Sequence, residues 1–117
     1  MKKNLYLCRA NKNVEAMRLI ELNLQHIFEL CKKYKVKSLS VFGSILTNRF
    51  NADSDVDLLV NFKDDEIDLL DFADNFFDLQ YSLEKVFNRK VDLVCEDSLQ
   101  NPIFIAEVNR TKQLIYG

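Results

Sequence analysis

The amino-acid sequence predicts an α/β (α+β) domain in which a small mixed β-sheet of three to four strands is flanked by helices. Two observations predict this class. Apolar residues recur every three or four positions in two long segments, which is the period of a helix with one buried face. Short apolar runs lie between those segments, and such runs are typical of buried strands. With 117 residues, 48% of them hydrophobic, the chain is long enough for one core.

The first half of the chain predicts a helix, a strand and a helical turn. The helix at 14–34 rests on an apolar stripe through Met17, Ile20, Leu24, Ile27, Cys31 and Tyr34, with Asn13 as its N-cap. The apolar run at 38–42 ends at Gly43 and is best explained as a buried strand. A short helix at 45–50 and a turn at 51–54 then lead to a second strand at 55–62.

The second half repeats the pattern. A helix at 67–87 carries the stripe Leu69, Phe72, Phe76, Leu79, Leu83 and Val86, and carboxylates crowd its start, where the helix dipole favours them. Asn88 and Arg89 end this helix, and a third strand is expected at 90–95. Pro102 suits the first turn of a last helix, at 102–110, and a final strand is expected at 113–116.

Composition and charge exclude several functions. A net charge of -2 argues against binding duplex nucleic acid, which needs a basic face. No apolar stretch approaches the roughly 20 residues that span a bilayer. Cys8, Cys31 and Cys95 form no Cys-x-x-Cys pair and are odd in number, so we expect reduced thiols in a cytoplasmic protein. We expect a flexible N-terminal arm at 1–13 and one domain at 14–117.

Three aspartates are the strongest candidates for chemistry. Asp55 and Asp57 flank Val56 where a strand should begin, so both carboxylates point to one face, and such like charges usually need a cation. Asp92 interrupts an apolar strand, where an unpaired carboxylate is costly, so it should face something polar. If the two strands are neighbours, the three carboxylates converge. Carboxylate oxygens suit Mg²⁺, and two ions about 4 Å apart can clamp an in-line displacement.

Gly43 and Ser44 suit the binding of a phosphate. Glycine permits a sharp turn at a strand end and a close approach of the backbone to a ligand. The amides at the start of the following short helix favour an anion, and the Ser44 hydroxyl can either cap that helix or bind a phosphate oxygen. The two motifs together therefore predict Mg²⁺ and a nucleoside triphosphate.

At these residues the chain resembles the DNA polymerase β-like nucleotidyltransferase superfamily, and within it the minimal nucleotidyltransferase (MNT) family. The pattern is Gly43-Ser44, ten residues, Asp55-Val56-Asp57, and a third aspartate, Asp92, on a later strand. The resemblance covers roughly residues 14–116 and implies the polymerase β-like fold. It also implies a two-metal Mg²⁺ site at Asp55, Asp57 and Asp92, with Gly43 and Ser44 binding the nucleotide.

One segment departs from the family pattern. The family usually has a stretch like Arg-Ala-Arg-Gly after Gly-Ser, whereas this chain has Ile45-Leu46-Thr47-Asn48. The expected cations at positions 45 and 47 are missing, and Arg49 could replace them only in part. This departure puts the affinity for triphosphate and the turnover in question, but not the metal site.

The resemblance also implies a partner. MNT proteins are commonly paired with a helical HEPN-domain protein, and several pairs behave as toxin and antitoxin. In these pairs the MNT protein transfers AMP from ATP to a tyrosine of the HEPN ribonuclease and silences it. Two alternatives stay open: an antitoxin that neutralises its partner by binding alone, and a transferase for a small molecule such as an aminoglycoside. Nucleic-acid polymerisation ranks lowest because of the acidic balance.

Other features have ordinary explanations. His26 belongs to a helix and is not expected to act in catalysis, and Asp53 and Ser54 are turn residues. The acidic residues between 64 and 78 are most simply a helix start and a solvated face. Leu70 and Phe77, however, lie off the apolar stripe, so they could form an exposed patch for a partner.

Overall fold

The computed structural model describes residues 14–43 and 54–117. Ser44, the expected short helix at 45–50, residues 51–53 and the N-terminal arm with Asn13 lie outside these residues. The described helices are α1 (Val14–Leu22), α2 (Leu24–Lys33), α3 (Phe72–Phe87) and α4 (Pro102–Thr111). The strands are β1 (Val36–Phe42), β2 (Val56–Phe62), β3 (Val91–Cys95) and β4 (Gln113–Tyr116). Single 3-10 turns occupy Asp64–Glu66, Leu69–Asp71 and Glu96–Ser98.

The four strands form one mixed sheet in the order β3-β2-β1-β4. β2 and β3 run parallel, with α3 as the crossover between them, while β1 pairs antiparallel with both β2 and β4. A parallel pair needs a crossover of a dozen or more residues, which α3 supplies. The predicted mixed sheet flanked by helices is therefore confirmed, as is the strand at the C-terminus.

The sheet is buried unequally on its two faces. Alternate side chains of β2, such as Leu58, enter the main core with Ile20, Ile27 and Leu79 from the first three helices. The intervening side chains face α4, where Leu59 packs in a smaller cluster that includes Val108. Asp57 precedes Leu59 by two residues, so it belongs to the thinly covered face. A carboxylate on that face can stay in contact with solvent.

The first predicted helix is interrupted, and this part of the prediction was wrong. α1 ends at Leu22 and α2 begins at Leu24. At Asn23 the side-chain amide donates a hydrogen bond to the carbonyl of Leu19, at 2.8 Å. An asparagine side chain that bonds to the backbone in this way competes with the regular helical pattern. The apolar stripe continues across the break because both helices pack on the same core.

The second predicted helix begins later than expected, at Phe72 rather than at residue 67. Phe62 of β2 packs edge-on against Phe72, with ring centroids 5.4 Å apart, and this contact sets where the helix meets the sheet. Leu69 and Leu70 are 89% and 93% exposed, so they contribute nothing to the buried stripe. The carboxylates at 64–66 accordingly lie in a separate 3-10 turn, away from the start of α3.

A polar network ties the far end of the thinly covered face together. The Asn61 amide donates to the Ser38 hydroxyl at 3.1 Å and to Glu96 Oε1 at 2.6 Å. Lys112 Nζ, between α4 and β4, donates to Glu96 Oε2 at 2.8 Å. The hydrogen bond from Lys112 lowers the pKa of Glu96, and the bond from Asn61 adds to this effect against the cost of burial. The network thus fixes α4 across the sheet, at the end opposite Asp57.

Candidate active site

Two of the three candidate aspartates are brought together by the register of the sheet. Asp57 of β2 and Asp92 of β3 are partners in the parallel pair, and Phe42 at the end of β1 is the partner of Asp57 on the other side. Residues in register on neighbouring strands point to the same face. Asp57 is half-buried and Asp92 is exposed, so Asp92 meets water rather than an apolar neighbour. The expectation that Asp92 faces a polar environment is confirmed.

Gly43 lies directly against Asp57. Its φ is +78°, in the left-handed region that favours glycine. A Cβ built on Gly43 would collide with Asp57 Oδ2 and lie 3.1 Å from Asp57 Cγ. The turn after β1 therefore needs glycine for its backbone conformation and also for the space that the carboxylate occupies. Ser44 follows outside the described residues, so its predicted contact with phosphate stays a prediction.

Asp55 occupies a different position from the other two aspartates. It precedes β2 in an irregular segment and is exposed. This segment is fixed at both sides by the segment that precedes β3: Arg89 Nη1 donates to the Ser54 carbonyl at 3.1 Å, and the Val56 amide donates to the Lys90 carbonyl at 3.0 Å. The starts of β2 and β3 are thus held together on each side of Asp55.

Arg89 has a role that the sequence pattern does not predict, since the pattern marks it only as part of the break after α3. Asn88 does end α3, in the left-handed conformation with φ of 55°, and its amide donates to the Glu84 carbonyl. That turn directs Arg89 back toward Ser54. The sequence signal for this role is the position of the arginine, which follows the end of a helix and precedes the strand that carries Asp92.

The side chains of the three candidate aspartates have the right chemistry to bind a divalent cation. Asp55, Asp57 and Asp92 offer only carboxylate oxygens, which are the preferred ligands of Mg²⁺, and glycine at position 43 leaves room for one of them. Over residues 14–43 and 54–117, however, no three or more His, Cys, Asp or Glu side chains are gathered closely enough to hold a metal ion. Among these described residues the fold brings Asp57 and Asp92 into register but forms no closed cluster of three carboxylates.

The C-terminal half of α3 packs directly beside this edge of the sheet. Gln80 Nε2 donates to the Val91 carbonyl at 2.9 Å, and the Val91 amide donates to Glu84 Oε2 at 3.2 Å. β3 is an edge strand, so these two side chains satisfy backbone groups that have no neighbouring strand. Asp92 comes next in sequence. Its position is consequently fixed by β2 on one side and by α3 on the other.

This fold and its aspartate pair define a class of protein. The chain belongs to the family Polymerase beta, Nucleotidyltransferase, which it matches over residues 25–117. Within that family it falls among the minimal nucleotidyltransferases. A solved structure described as a "putative minimal nucleotidyltransferase" is 30% identical, superposes with a TM-score of 0.63, and aligns over 89% of this chain and 97% of the other. The family inferred from the sequence motifs is confirmed.

Two curated relatives are similar at comparable levels. "Putative protein adenylyltransferase MJ0126" of Methanocaldococcus jannaschii is 37% identical over 82 residues, which is 70% of this chain and 79% of that protein. Protein adenylyltransferase MntA of Thermococcus cleftensis is 38% identical over 78 residues, which is 67% of this chain and 74% of that protein. Both alignments exceed 30% identity over more than two thirds of the relative's length.

Two toxin–antitoxin structures share the fold at lower identity. A toxin–antitoxin crystal structure with AMP-PNP is 23% identical, with a TM-score of 0.61, and aligns over 81% of this chain and 73% of that one. A complex of a tri-AMPylated Shewanella oneidensis HEPN toxin with an MNT antitoxin is 23% identical, with a TM-score of 0.56, and aligns over 83% and 71%. At this level of identity the likeness concerns the fold.

None of the described helices is long and apolar enough to cross a membrane.

Proposed function

We propose that this chain transfers AMP from ATP to a hydroxyl of a partner protein in the cytoplasm. The preferred acceptor is a tyrosine of a HEPN-domain ribonuclease, which would make the chain an antitoxin. The observation that carries the proposal is the register that sets Asp57 opposite Asp92, with Gly43 lying against the Asp57 carboxylate. The protein adenylyltransferase relatives and the toxin–antitoxin neighbours support the choice of nucleotide and of partner.

Each residue has a stated role in the proposed reaction. Asp55, Asp57 and Asp92 would hold Mg²⁺, which would neutralise charge on the phosphates and lower the pKa of the attacking hydroxyl. The acceptor oxygen forms a bond to the α-phosphorus, the bond from that phosphorus to the bridging oxygen breaks, and pyrophosphate leaves. Asp92 adds a metal ligand and lowers the barrier to deprotonation of the acceptor hydroxyl, whose proton passes to solvent. Gly43 and Ser44 are assigned to binding the triphosphate, which would orient it for in-line attack.

The test uses intact-mass measurement of a HEPN-domain protein incubated with this chain, ATP and Mg²⁺. We expect the HEPN protein to gain whole AMP units with wild type and none with Asp57→Asn or Asp92→Asn. Asp65→Asn is the matched control, because Asp65 is an exposed carboxylate in the 3-10 turn beyond the other end of β2. Transfer that persists in both site variants, or that fails equally in the control, would refute the assignment.

A second candidate function is neutralisation of the partner by binding alone. The absence of cations at positions 45 and 47 favours it, as do the apolar side chains exposed on α3. The two functions separate in one experiment. If an Asp55→Asn/Asp57→Asn chain still protects cells from the HEPN protein, protection comes from binding. If protection is lost while the two proteins still co-purify, protection comes from AMP transfer.

A further inference from the structure

α3 presents an outer face that pairs an apolar stripe with a row of carboxylates. Leu70, Phe77 and Tyr81 are 93%, 60% and 61% exposed. Phe77 and Tyr81 are four positions apart on α3, so their side chains are neighbours on one side of the helix, and Leu70 lies in the 3-10 turn that precedes it. At about 200 Å² for an aromatic side chain, the two rings alone leave roughly 240 Å² of apolar surface in solvent. Leu70 adds a third exposed apolar side chain just before the helix, and exposed apolar patches of this kind are often functional.

The carboxylates lie along one flank of that stripe. Asp71, Asp74 and Asp78 are all exposed and recur at steps of three and four, which places them in a row beside Phe77 and Tyr81. Between residues 64 and 84 the chain has eight carboxylates and no lysine or arginine. Lys85 closes the face at its C-terminal end, with its Nζ 4.8 Å from the centre of the Tyr81 ring. The face is therefore apolar along its middle and negative along one side.

We propose that the α3 outer face, made by Asp74, Phe77, Asp78 and Tyr81 of α3 together with Leu70 and Asp71 of the turn before it, docks a partner protein through a surface that is apolar with a basic flank. Charge complementarity determines this choice of occupant. A second copy that docks through the same face would bring mainly carboxylates to the acidic row, with Lys85 as a single cation against them. A basic flank compensates the row, while burial of the stripe supplies the non-directional part of the affinity.

The location of the face connects docking to the active site. Gln80 and Glu84 bind the backbone of Val91, so the C-terminal half of α3 flanks the end of β3 that carries Asp92. A protein seated on Phe77 and Tyr81 lies beside that end of the sheet. If AMP transfer proceeds as proposed above, the docked protein is its acceptor, and this last step alone rests on the proposed function.

Binding is tested without nucleotide, so that its result is independent of catalysis. The probe is a fluorescein-labelled synthetic helix of about 20 residues, long enough to be helical, with leucines along one stripe and lysines along one flank. We expect wild type to bind it and to lose binding as salt increases. Phe77→Ser, Tyr81→Ser and the double charge reversal Asp74→Lys/Asp78→Lys should each weaken binding at least tenfold. The same peptide with glutamates in place of lysines should not bind.

Ile103→Ser is the matched control, because Ile103 on α4 is 80% exposed and lies off the face. Circular dichroism of each variant confirms that the fold is kept. Unchanged binding in the face variants, or equal weakening by Ile103→Ser, would overturn the proposal. A concentration-dependent dimer that Phe77→Ser abolishes would assign the face to a second copy instead.

One further occupant is tested in the full chain. The first 13 residues contain Lys2, Lys3, Arg9 and Lys12 and no acidic residue, so their charge also complements the row. A Lys2→Glu/Lys3→Glu chain should bind the peptide as wild type does. Binding that becomes more than tenfold tighter would overturn the proposal in favour of the chain's own N-terminal segment.

Discussion

Replacement of Gly43 by alanine tests the close approach between the end of β1 and the first aspartate of β2. Gly43 has a φ of +78°, and the added Cβ would collide with Asp57 Oδ2. The substitution therefore has a backbone effect and a steric effect. Either the start of β2 moves away from β1, or the carboxylate of Asp57 leaves its position. The first response lowers stability, and the second impairs the candidate site.

The magnitude follows from these two effects. A non-glycine residue in the left-handed region costs about 1–2 kcal/mol. The overlap adds about 1–3 kcal/mol if the side chains stay in place. Because Asp57 is half-exposed, its carboxylate can swing aside and relieve much of the overlap. We therefore expect a loss of about 2–3 kcal/mol in the free energy of unfolding. We also expect a loss of roughly 100-fold in AMP transfer, since a displacement of about 1 Å has that effect on a positioned group.

Urea denaturation of four proteins separates the effects: wild type, Gly43→Ala, Asp57→Ala and the double variant. Removal of the Asp57 carboxylate takes away the group that the new Cβ meets, so only the backbone effect should remain. The two substitutions should then show a coupling energy of about 0.5–3 kcal/mol, with Gly43→Ala less costly in the Asp57→Ala background. If the effects on unfolding are additive, the carboxylate does not lie against Gly43 and the reasoning fails.

Three further predictions concern residues around the site and the core. Arg89→Met should destabilise the chain by about 1.5–3 kcal/mol in urea, because the Ser54 carbonyl loses a charged donor, and Arg89→Lys should restore only part of it; wild-type stability in Arg89→Met would contradict this. Burial raises the pKa of the Cys31 thiol from 9.0 to about 12, so the unfolded chain loses that proton at lower pH than the folded chain. The free energy of unfolding should therefore fall as pH rises above 9, and should fall more in wild type than in Cys31→Ala. Parallel stability–pH curves for the two proteins would argue against this burial. The pKa of Glu96 is lowered mainly by the hydrogen bond from Lys112, so Glu96 contributes stability above its unfolded pKa and loses it as pH falls through the folded pKa. In Lys112→Met the free energy of unfolding should fall less on acidification than in wild type. An equal fall in the two proteins would count against the pair.

Much of the fold could be predicted because its elements follow from local patterns. The periodic stripe around Leu79 and Leu83 predicted α3, and the apolar runs predicted three strands to within two residues at each end. The predicted helix bounds were wrong where single side-chain contacts determine where a helix starts or stops. Asn23 bonds to the carbonyl of Leu19 and divides a helix whose apolar period is continuous. The contact between Phe62 and Phe72 fixes the start of α3, and the apolar period of the sequence does not predict such a contact.

The residues of the candidate site were predicted directly, and their arrangement only on the condition that the strands of Asp57 and Asp92 are neighbours. Gly43, Asp57 and Asp92 could be recognised as site residues because a glycine at a strand end and carboxylates within apolar strands break the local rules of strand formation. Such exceptions are expected at functional sites. Arg89 could not be assigned in this way, since its contact with Ser54 spans 35 positions and depends on the parallel pairing of β2 and β3. The α3 outer face was predicted only as an off-stripe patch at Leu70 and Phe77.

By itself the sequence determined the class of fold, the family and the residue types of the site, because hydrophobic period, turn chemistry and motif spacing are local properties. The tertiary structure decided what lies next to what. The parallel register sets Asp57 opposite Asp92, the left-handed turn at Gly43 leaves room for the Asp57 carboxylate, and α3 fixes the start of β3. These are contacts between distant parts of the chain, so they exist only after the sheet has formed and its helices have packed.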